Sequence, residues 1–117
     1  MTNQYEQALA RARAENKLVL VNFTGYACTN CHWMRANMFP RPEIRPLLDD
    51  FVLLELFTDG TDAASTANQD MESRKFGTVA IPYYAILSPD GDAIATFPGL
   101  TRDAGEFAAF LKTRRAA

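Results

Sequence analysis

The 117-residue sequence contains only two cysteines and one histidine, and it has no excess of basic residues. Twelve Lys and Arg face fourteen Asp and Glu, a net charge of −2, whereas nucleic-acid-binding domains normally carry a basic excess. Two cysteines are too few for the disulfide framework of small secreted domains, and with one histidine they fall short of four zinc ligands. The composition therefore argues against a nucleic-acid partner, a disulfide scaffold and an intramolecular zinc site.

Long hydrophobic runs are also missing. The longest, Leu18–Val21 and Phe51–Leu54, are far shorter than the roughly 18 residues that a membrane helix needs. Residues 1–6 have no basic region followed by an apolar core, so we expect no signal peptide in them. Hydrophobic residues make up 48% of the chain and charged residues 22%, which is the balance of a folded domain. We predict one domain over residues 1–117, monomeric and without a bound cofactor or metal.

Apolar residues at helical spacing and apolar β-branched runs alternate along the chain. The predicted helices are Asn3–Glu15, Cys28–Met38, Ala67–Phe76 and Arg102–Arg114, with a short turn at Glu43–Leu48. The predicted strands are Lys17–Thr24, Phe51–Phe57, Tyr83–Leu87 and Ala93–Phe97, the first two being central strands buried on both faces. Alternation predicts parallel crossovers, and the Ser88–Gly91 turn adds an antiparallel hairpin. The pattern indicates an α/β fold with a mixed sheet between helices.

The two cysteines form a C-x-x-C motif, Cys28-Thr29-Asn30-Cys31, where the first strand gives way to a helix. Free N–H groups and the dipole of a helix N-terminus stabilise an anion, so they favour the Cys28 thiolate. Lowering a thiol pKa from about 8.5 to about 7 takes roughly 2 kcal/mol. Cys31, one turn further on, is expected to be more buried. The pair predicts thiol–disulfide exchange, with Cys28 as the nucleophile and Cys31 as the resolving thiol.

Two other interpretations of the motif exist. Cys28 to His32 also matches the C-x-x-C-H pattern of c-type haem attachment, although that chemistry would suit a mainly helical chain. The cysteines could instead be inert and structural, which is uncommon at this spacing. A non-catalytic haem or partner-binding module is therefore the alternative from a different functional class.

The arrangement of a strand, C-x-x-C at a helix start, Ile81-Pro82, a hairpin and a last helix resembles the thioredoxin fold. More narrowly, residues 21–34 (VNFTGYACTNCHWM), Phe51–Leu54 and the segment from Ile81 to Gly91 are similar to the C-terminal domain of DsbD-type transmembrane thiol–disulfide interchange proteins. The resemblance covers roughly residues 14 to 112.

This resemblance implies a protein disulfide reductase on the exported, periplasmic side of a bacterial inner membrane, as a domain of a longer protein. It would pass electrons from a membrane-embedded cysteine pair to thioredoxin-like partners. A stand-alone oxidase or isomerase, and a cytoplasmic location, are the alternatives. Three residues depart from the family pattern: Ala27 replaces a tryptophan, Asn22 an acid, and Arg35 another acid.

The family pattern also implies a surface where partners bind. Pro82 would follow a cis bond and hold the backbone of Ile81 open for a partner segment to pair as an added strand. An ordinary trans proline at a strand start is the alternative. Gly99 would line the same groove or simply serve a turn, and Tyr26 is a further candidate for partner contact.

Glu55 is the candidate proton carrier for Cys31, because the amide of Asn22 cannot accept a proton. It is the only charged residue of the Phe51–Phe57 strand, and burial would raise its pKa toward the range of a general base. A carboxylate that reaches solvent or pairs with a nearby Lys or Arg is the equally supported alternative. Asp59, Asp62 and Asp70 lack the spacing of a calcium loop and are expected to be solvated, as is His32.

Overall fold

The computed structural model describes residues 1–113. Its elements are, in chain order, α1 (Tyr5–Glu15), β1 (Leu18–Thr24), α2 (Thr29–Trp33), a π-helical turn (Met34–Met38), α3 (Arg45–Leu48), β2 (Phe51–Phe57), α4 (Ala63–Phe76), β3 (Tyr83–Leu87), β4 (Ala93–Pro98) and α5 (Ala104–Leu111). None of the helices in this range has the length and apolar character to cross a membrane.

Within residues 1–113, one four-stranded sheet has the strand order β2-β1-β3-β4. β1 and β2 run parallel, from Leu18 opposite Phe51 to Thr24 opposite Phe57. β3 is antiparallel to both β1 and β4. The prediction of parallel crossovers therefore holds for β1 and β2 and is wrong for β3. β3 begins beside the end of β1, with Tyr83 opposite Phe23, and therefore runs in the opposite direction to β1.

The prediction of a central position for the Phe51–Phe57 strand is also wrong, because β2 lies at the edge of the sheet. Leu53 is 41% exposed, and the Glu55 side chain is 36% exposed. The N-terminal residues run along the outer edge of β2: the Asn3 N–H donates to the Glu55 carbonyl, and the Glu55 N–H donates to the Met1 carbonyl, both at 2.8 Å. An apolar run does not distinguish a central strand from an edge strand covered in this way.

Several helix boundaries differ from the predicted ones. α4 begins at Ala63 rather than Ala67, so the preceding loop is shorter than predicted. The segment predicted as one helix from Cys28 to Met38 comprises α2 and the π-helical turn, which closes with a 3.0 Å bond from the Phe39 N–H to the Met34 carbonyl. α5 is shorter than predicted because the Asp103 carboxylate caps its start. Arg114, the predicted end of this helix, lies outside the described residues.

The sheet separates two apolar layers. On one face, Tyr84 and Ile86 pack with the π-helical turn and α5, where Met34, Met38 and Phe107 are fully buried. The other face packs against α1 and α4. Both methionines belong to the hydrophobic core. The start of α2, at the carboxyl end of β1, is therefore supported by the packed hydrophobic core.

Candidate active site at the start of α2

Cys28 is the N-cap residue of α2, four residues after the end of β1. It forms a disulfide with Cys31, with the two Cα atoms 5.2 Å apart. The Cys31 N–H donates to the Cys28 Sγ at 3.1 Å, so the sulfur occupies the position where an N-cap side chain accepts its hydrogen bond. Cys31 is only 4% exposed, whereas Cys28 is half-buried. The site thus presents one accessible sulfur and one shielded sulfur.

The segment between β1 and Cys28 is held in place by contacts with three residues: Asp59, His32 and Phe57. The Asp59 carboxylate accepts hydrogen bonds from the N–H of Tyr26 at 2.8 Å and the N–H of Ala27 at 3.0 Å. The Nε2 atom of His32 lies 2.7 Å from the Tyr26 carbonyl oxygen, which can only accept, so this nitrogen carries the proton. The Tyr26 ring stacks on Phe57 with the ring centroids 4.1 Å apart. The hydrogen bonds from Ala27 and Tyr26 hold the pKa of Asp59 below its ordinary value.

Gly25 allows the Ile81–Pro82 segment to approach the cysteine loop closely. A Cβ atom at Gly25 would lie 2.6 Å from the Asp59 Oδ2 and 2.7 Å from the Ile81 Cδ1, which is closer than Cβ contacts allow. The Ile81–Pro82 bond is cis, and the Gly99 N–H donates to the Pro82 carbonyl at 2.9 Å. Ile81 and Asp59 therefore pack closely against the chain that leads to Cys28.

Of the sequence-predicted partner-binding residues, Tyr26 precedes Cys28 by two positions, Ile81 lies against Gly25, and Gly99 is hydrogen-bonded to Pro82. Tyr26 is 56% exposed, Ile81 and Gly99 are partly exposed, and Pro82 is buried. Gly99 has a φ of +81°, a conformation that favours glycine, and open space surrounds the position of a Cβ atom there. We refer to Tyr26, Ile81, Pro82 and Gly99 as the rim; three of them are at least partly exposed.

A row of polar side chains crosses the sheet beneath the π-helical turn. Asn22 pairs with Glu55 of β2 on one side and with Tyr84 of β3 on the other. Asn22 is 8% exposed, and within residues 1–113 neither its Oδ1 atom nor the Tyr84 hydroxyl has a hydrogen-bond partner. Burial raises the pKa of Tyr84, while the charge of Arg35 opposes that rise.

Glu55 faces the same side of the sheet as α2, because it forms an ion pair with Arg35, one turn after Cys31. The predicted burial of Glu55 is wrong, since about a third of its side chain is exposed and β2 is an edge strand. A groove of about 260 Å³ opens beside the pair and is lined by Asn22, Phe39 and Leu53 among others. Glu55 thus lies beside Asn22 as predicted, but it is not in the buried, low-dielectric surroundings that were expected to raise its pKa.

Asp59 is the residue of this site that sequence reasoning placed in a solvated loop. Its carboxylate is exposed, yet both of its oxygens bind the backbone just before Cys28. A usable signal was present: the alternation of strands and helices predicts parallel crossovers, and the loops after neighbouring parallel strands share one edge of the sheet. Among residues 1–113, no three His, Cys, Asp or Glu side chains are grouped so that they could hold a metal ion.

Known structures share this architecture. The C-terminal domain of DsbD from Neisseria meningitidis, in its reduced form, is 19% identical, with 97% of this chain and 100% of that chain covered and a TM-score of 0.76. A thioredoxin from Thermus thermophilus is 24% identical, with 95% and 83% covered and a TM-score of 0.75. A DsbH oxidoreductase is 18% identical, with 94% and 83% covered and a TM-score of 0.69. These similarities confirm the predicted thioredoxin fold.

A search of curated proteins found no match to the chain. A family model described as thioredoxin-like matches residues 1–89, about three quarters of the sequence. The match spans β1, the C-x-x-C motif, β2 and β3. The chain therefore belongs to the thioredoxin-like family, as a thiol–disulfide oxidoreductase whose redox pair is Cys28 and Cys31.

Proposed function

We propose that the protein is a protein disulfide reductase that receives electrons from a membrane-embedded cysteine pair and passes them to exported thioredoxin-like partners. The observation that carries the proposal is the asymmetry of the redox pair: Cys28 is accessible at the N-cap of α2, and Cys31 is shielded beneath it. The resemblance to DsbD-type C-terminal domains supports this donor, these acceptors and a periplasmic location. It is a fold-level argument for the partners, whereas the chemistry rests on the site itself.

Reduction of a partner proceeds in two exchange steps. The Cys28 thiolate attacks one sulfur of the partner disulfide, forms a mixed disulfide and releases the other partner sulfur as a thiolate, which takes up a proton. Cys31 then loses its proton and attacks the Cys28 sulfur, which restores the Cys28–Cys31 disulfide and releases the second partner thiol. Counted from the dithiol, and including the proton that Cys28 releases to form its thiolate, the protein loses two electrons and two protons and the partner gains two of each. The donor dithiol reverses this change in the protein and becomes a disulfide itself.

The rim around Cys28 serves the first step. The partner segment that carries the disulfide lies along Ile81 and pairs with its backbone as an added strand, as Pro82 turns the chain there. Tyr26 and Gly99 flank this segment. The exposed face of the Tyr26 ring, whose other face stacks on Phe57, supports a role in partner contact.

Glu55 serves the second step as the proton carrier for Cys31. Its ion pair with Arg35, which lies one helical turn after Cys31, supports this role by linking the carboxylate to the cysteine helix. The neighbouring groove gives the carboxylate access to solvent protons. An ion pair that only fastens the π-helical turn to β2 is the competing role, and the pH dependence of resolution distinguishes the two.

The proposal is tested by trapping partners with single-cysteine variants. In Cys31→Ser, Cys28 still attacks but its mixed disulfide is not resolved, so complexes with thioredoxin-like proteins accumulate and are released by reductant. The matched variant Cys28→Ser keeps only the shielded sulfur and should trap almost nothing. Equal trapping by both variants, or stronger trapping by Cys28→Ser, would contradict the assigned roles.

A further inference from the structure

Asp59 follows the end of β2 and binds the chain that follows the end of β1. Each of its carboxylate oxygens accepts one backbone N–H, the Oδ1 from Tyr26 and the Oδ2 from Ala27. These are the two residues that directly precede Cys28. The segment that carries the nucleophile is therefore fastened to the neighbouring strand by one ionised side chain.

The same carboxylate occupies the backbone N–H groups of the two residues next to Cys28. A thiolate is stabilised by the N–H groups that point toward it, as the Cys31 N–H does at 3.1 Å from the Cys28 Sγ. The N–H groups of Tyr26 and Ala27 point instead at Asp59. Gly25 is part of this arrangement, because a Cβ atom there would collide with the Asp59 Oδ2.

The charge of Asp59 acts in the same direction as its hydrogen bonds. A carboxylate beside the residue that precedes Cys28 disfavours a second negative charge on the sulfur. Less stabilisation of the thiolate makes the dithiol form relatively less stable than the disulfide. A dithiol that is less stabilised gives up its electrons more readily.

We propose that Asp59 is a positioning residue that fixes the segment before Cys28 and keeps the Cys28–Cys31 dithiol strongly reducing. The inference rests on the proposed function, because it explains how the pair is biased toward donating electrons to partner disulfides. Position 22 of this chain is Asn22, an amide, so no buried acid contributes to the redox equilibrium from there. The exposed loop carboxylate of Asp59 contributes to it instead.

The test is the redox equilibrium of the Cys28–Cys31 pair with glutathione, measured for the full chain and its variants by thiol alkylation. Asp59→Asn removes the charge and keeps one acceptor oxygen. The dithiol should become favoured about threefold, equivalent to about 14 mV more oxidising, since tenfold corresponds to about 30 mV. Asp59→Ala also frees both N–H groups, and we expect about tenfold. In both variants the pKa of the Cys28 thiol, followed by the rate of alkylation against pH, should fall.

The matched control is Asp62→Asn, which removes the same charge from the same loop without a hydrogen bond to the segment before Cys28. Its equilibrium with glutathione should equal that of the wild type. Equal values for Asp59→Asn, Asp62→Asn and the wild type would overturn the inference, and equal values for the two Asp59 variants would overturn the positioning role. Reduction of partner proteins by the wild type is scored separately. Its absence would contradict the proposed function and leave the shift at Asp59 standing.

Discussion

The buried carboxyl group of Glu72 makes the stability of the protein depend on pH. Ser65, Asn68 and Glu72 form the inward face of α4. Ser65 accepts a hydrogen bond from the Gly60 N–H, and Asn68 donates to the Phe57 carbonyl. Glu72 is fully buried, and within residues 1–113 neither of its carboxyl oxygens has a hydrogen-bond partner. Burial raises the pKa of Glu72 from 4.5 to about 7.

The direction of the effect follows from proton binding. Between pH 4.5 and pH 7 the unfolded chain has released the Glu72 proton while the folded protein still holds it, so the free energy of unfolding falls as the pH rises. The fall ends once the pH passes the folded-state pKa of about 7. At about 1.4 kcal/mol per pKa unit, the total loss is at most about 3.5 kcal/mol.

Urea unfolding of wild type and Glu72→Gln at several values between pH 5 and pH 8, with the disulfide intact, measures this loss. The glutamine has nearly the same shape and stays neutral, so Glu72→Gln should match the wild type near pH 5 and exceed it by about 2 kcal/mol at pH 8. Asp70→Asn on the exposed side of α4 is the control, and should keep the wild-type slope and stability within about 0.5 kcal/mol. Identical slopes for the wild type and Glu72→Gln would refute the reasoning.

Two further predictions concern the redox site. Pro82→Ala should slow the reduction of partner proteins at least about tenfold more than the reduction of a small disulfide reagent. The reason is that only a protein segment needs the surface along Ile81. Equal slowing of both reactions would contradict the binding role. Glu55→Gln should slow Cys31-dependent resolution of a mixed disulfide by about 10²-fold, the range expected for a lost general base, and should flatten the pH profile of resolution. Stopped-flow rates between pH 4 and pH 9 measure this, with Glu106→Gln on the exposed side of α5 as a control, and an unchanged profile would reduce Glu55 to a structural ion pair.

Much of the fold follows from local patterns. The bounds of β2 and β3 match the predicted strands, because each is an apolar run, broken in β2 only by Glu55, that ends at polar or turn residues. The hairpin was predictable from Pro89 and Gly91, and Gly91 has the expected positive φ of +91°. C-x-x-C at a helix start was enough to predict the disulfide chemistry of the site.

The order of strands in the sheet is not a local property. The apolar residues of β2 predict a central strand. In the structure, however, Leu53 and Glu55 line a groove and are not covered by a packed helix. The prediction that Glu55 is buried was wrong for this reason. Its pairing with Arg35 required knowledge of how the π-helical turn lies over β2.

The polar inward face of α4 also could not be predicted from the sequence. Ser65, Asn68 and Glu72 give this helix no apolar stripe, so helical spacing of hydrophobic residues predicted only its second part. Asn68 is buried because its amide bonds to the Phe57 carbonyl and to the Asn3 side chain, two groups distant in sequence. Such long-range satisfaction of polar groups leaves no signal in a single sequence.

The redox potential of the wild-type Cys28–Cys31 pair, measured against glutathione at pH 7, tests the central claim most directly. A reductase that donates electrons to partner disulfides should have a potential near that of reducing thioredoxins, about −270 mV. The two sulfurs should exchange as one two-electron couple, lost in both Cys28→Ser and Cys31→Ser. A potential near about −120 mV, as in strongly oxidising proteins of this fold, would contradict the reductase account and assign the protein to disulfide formation instead.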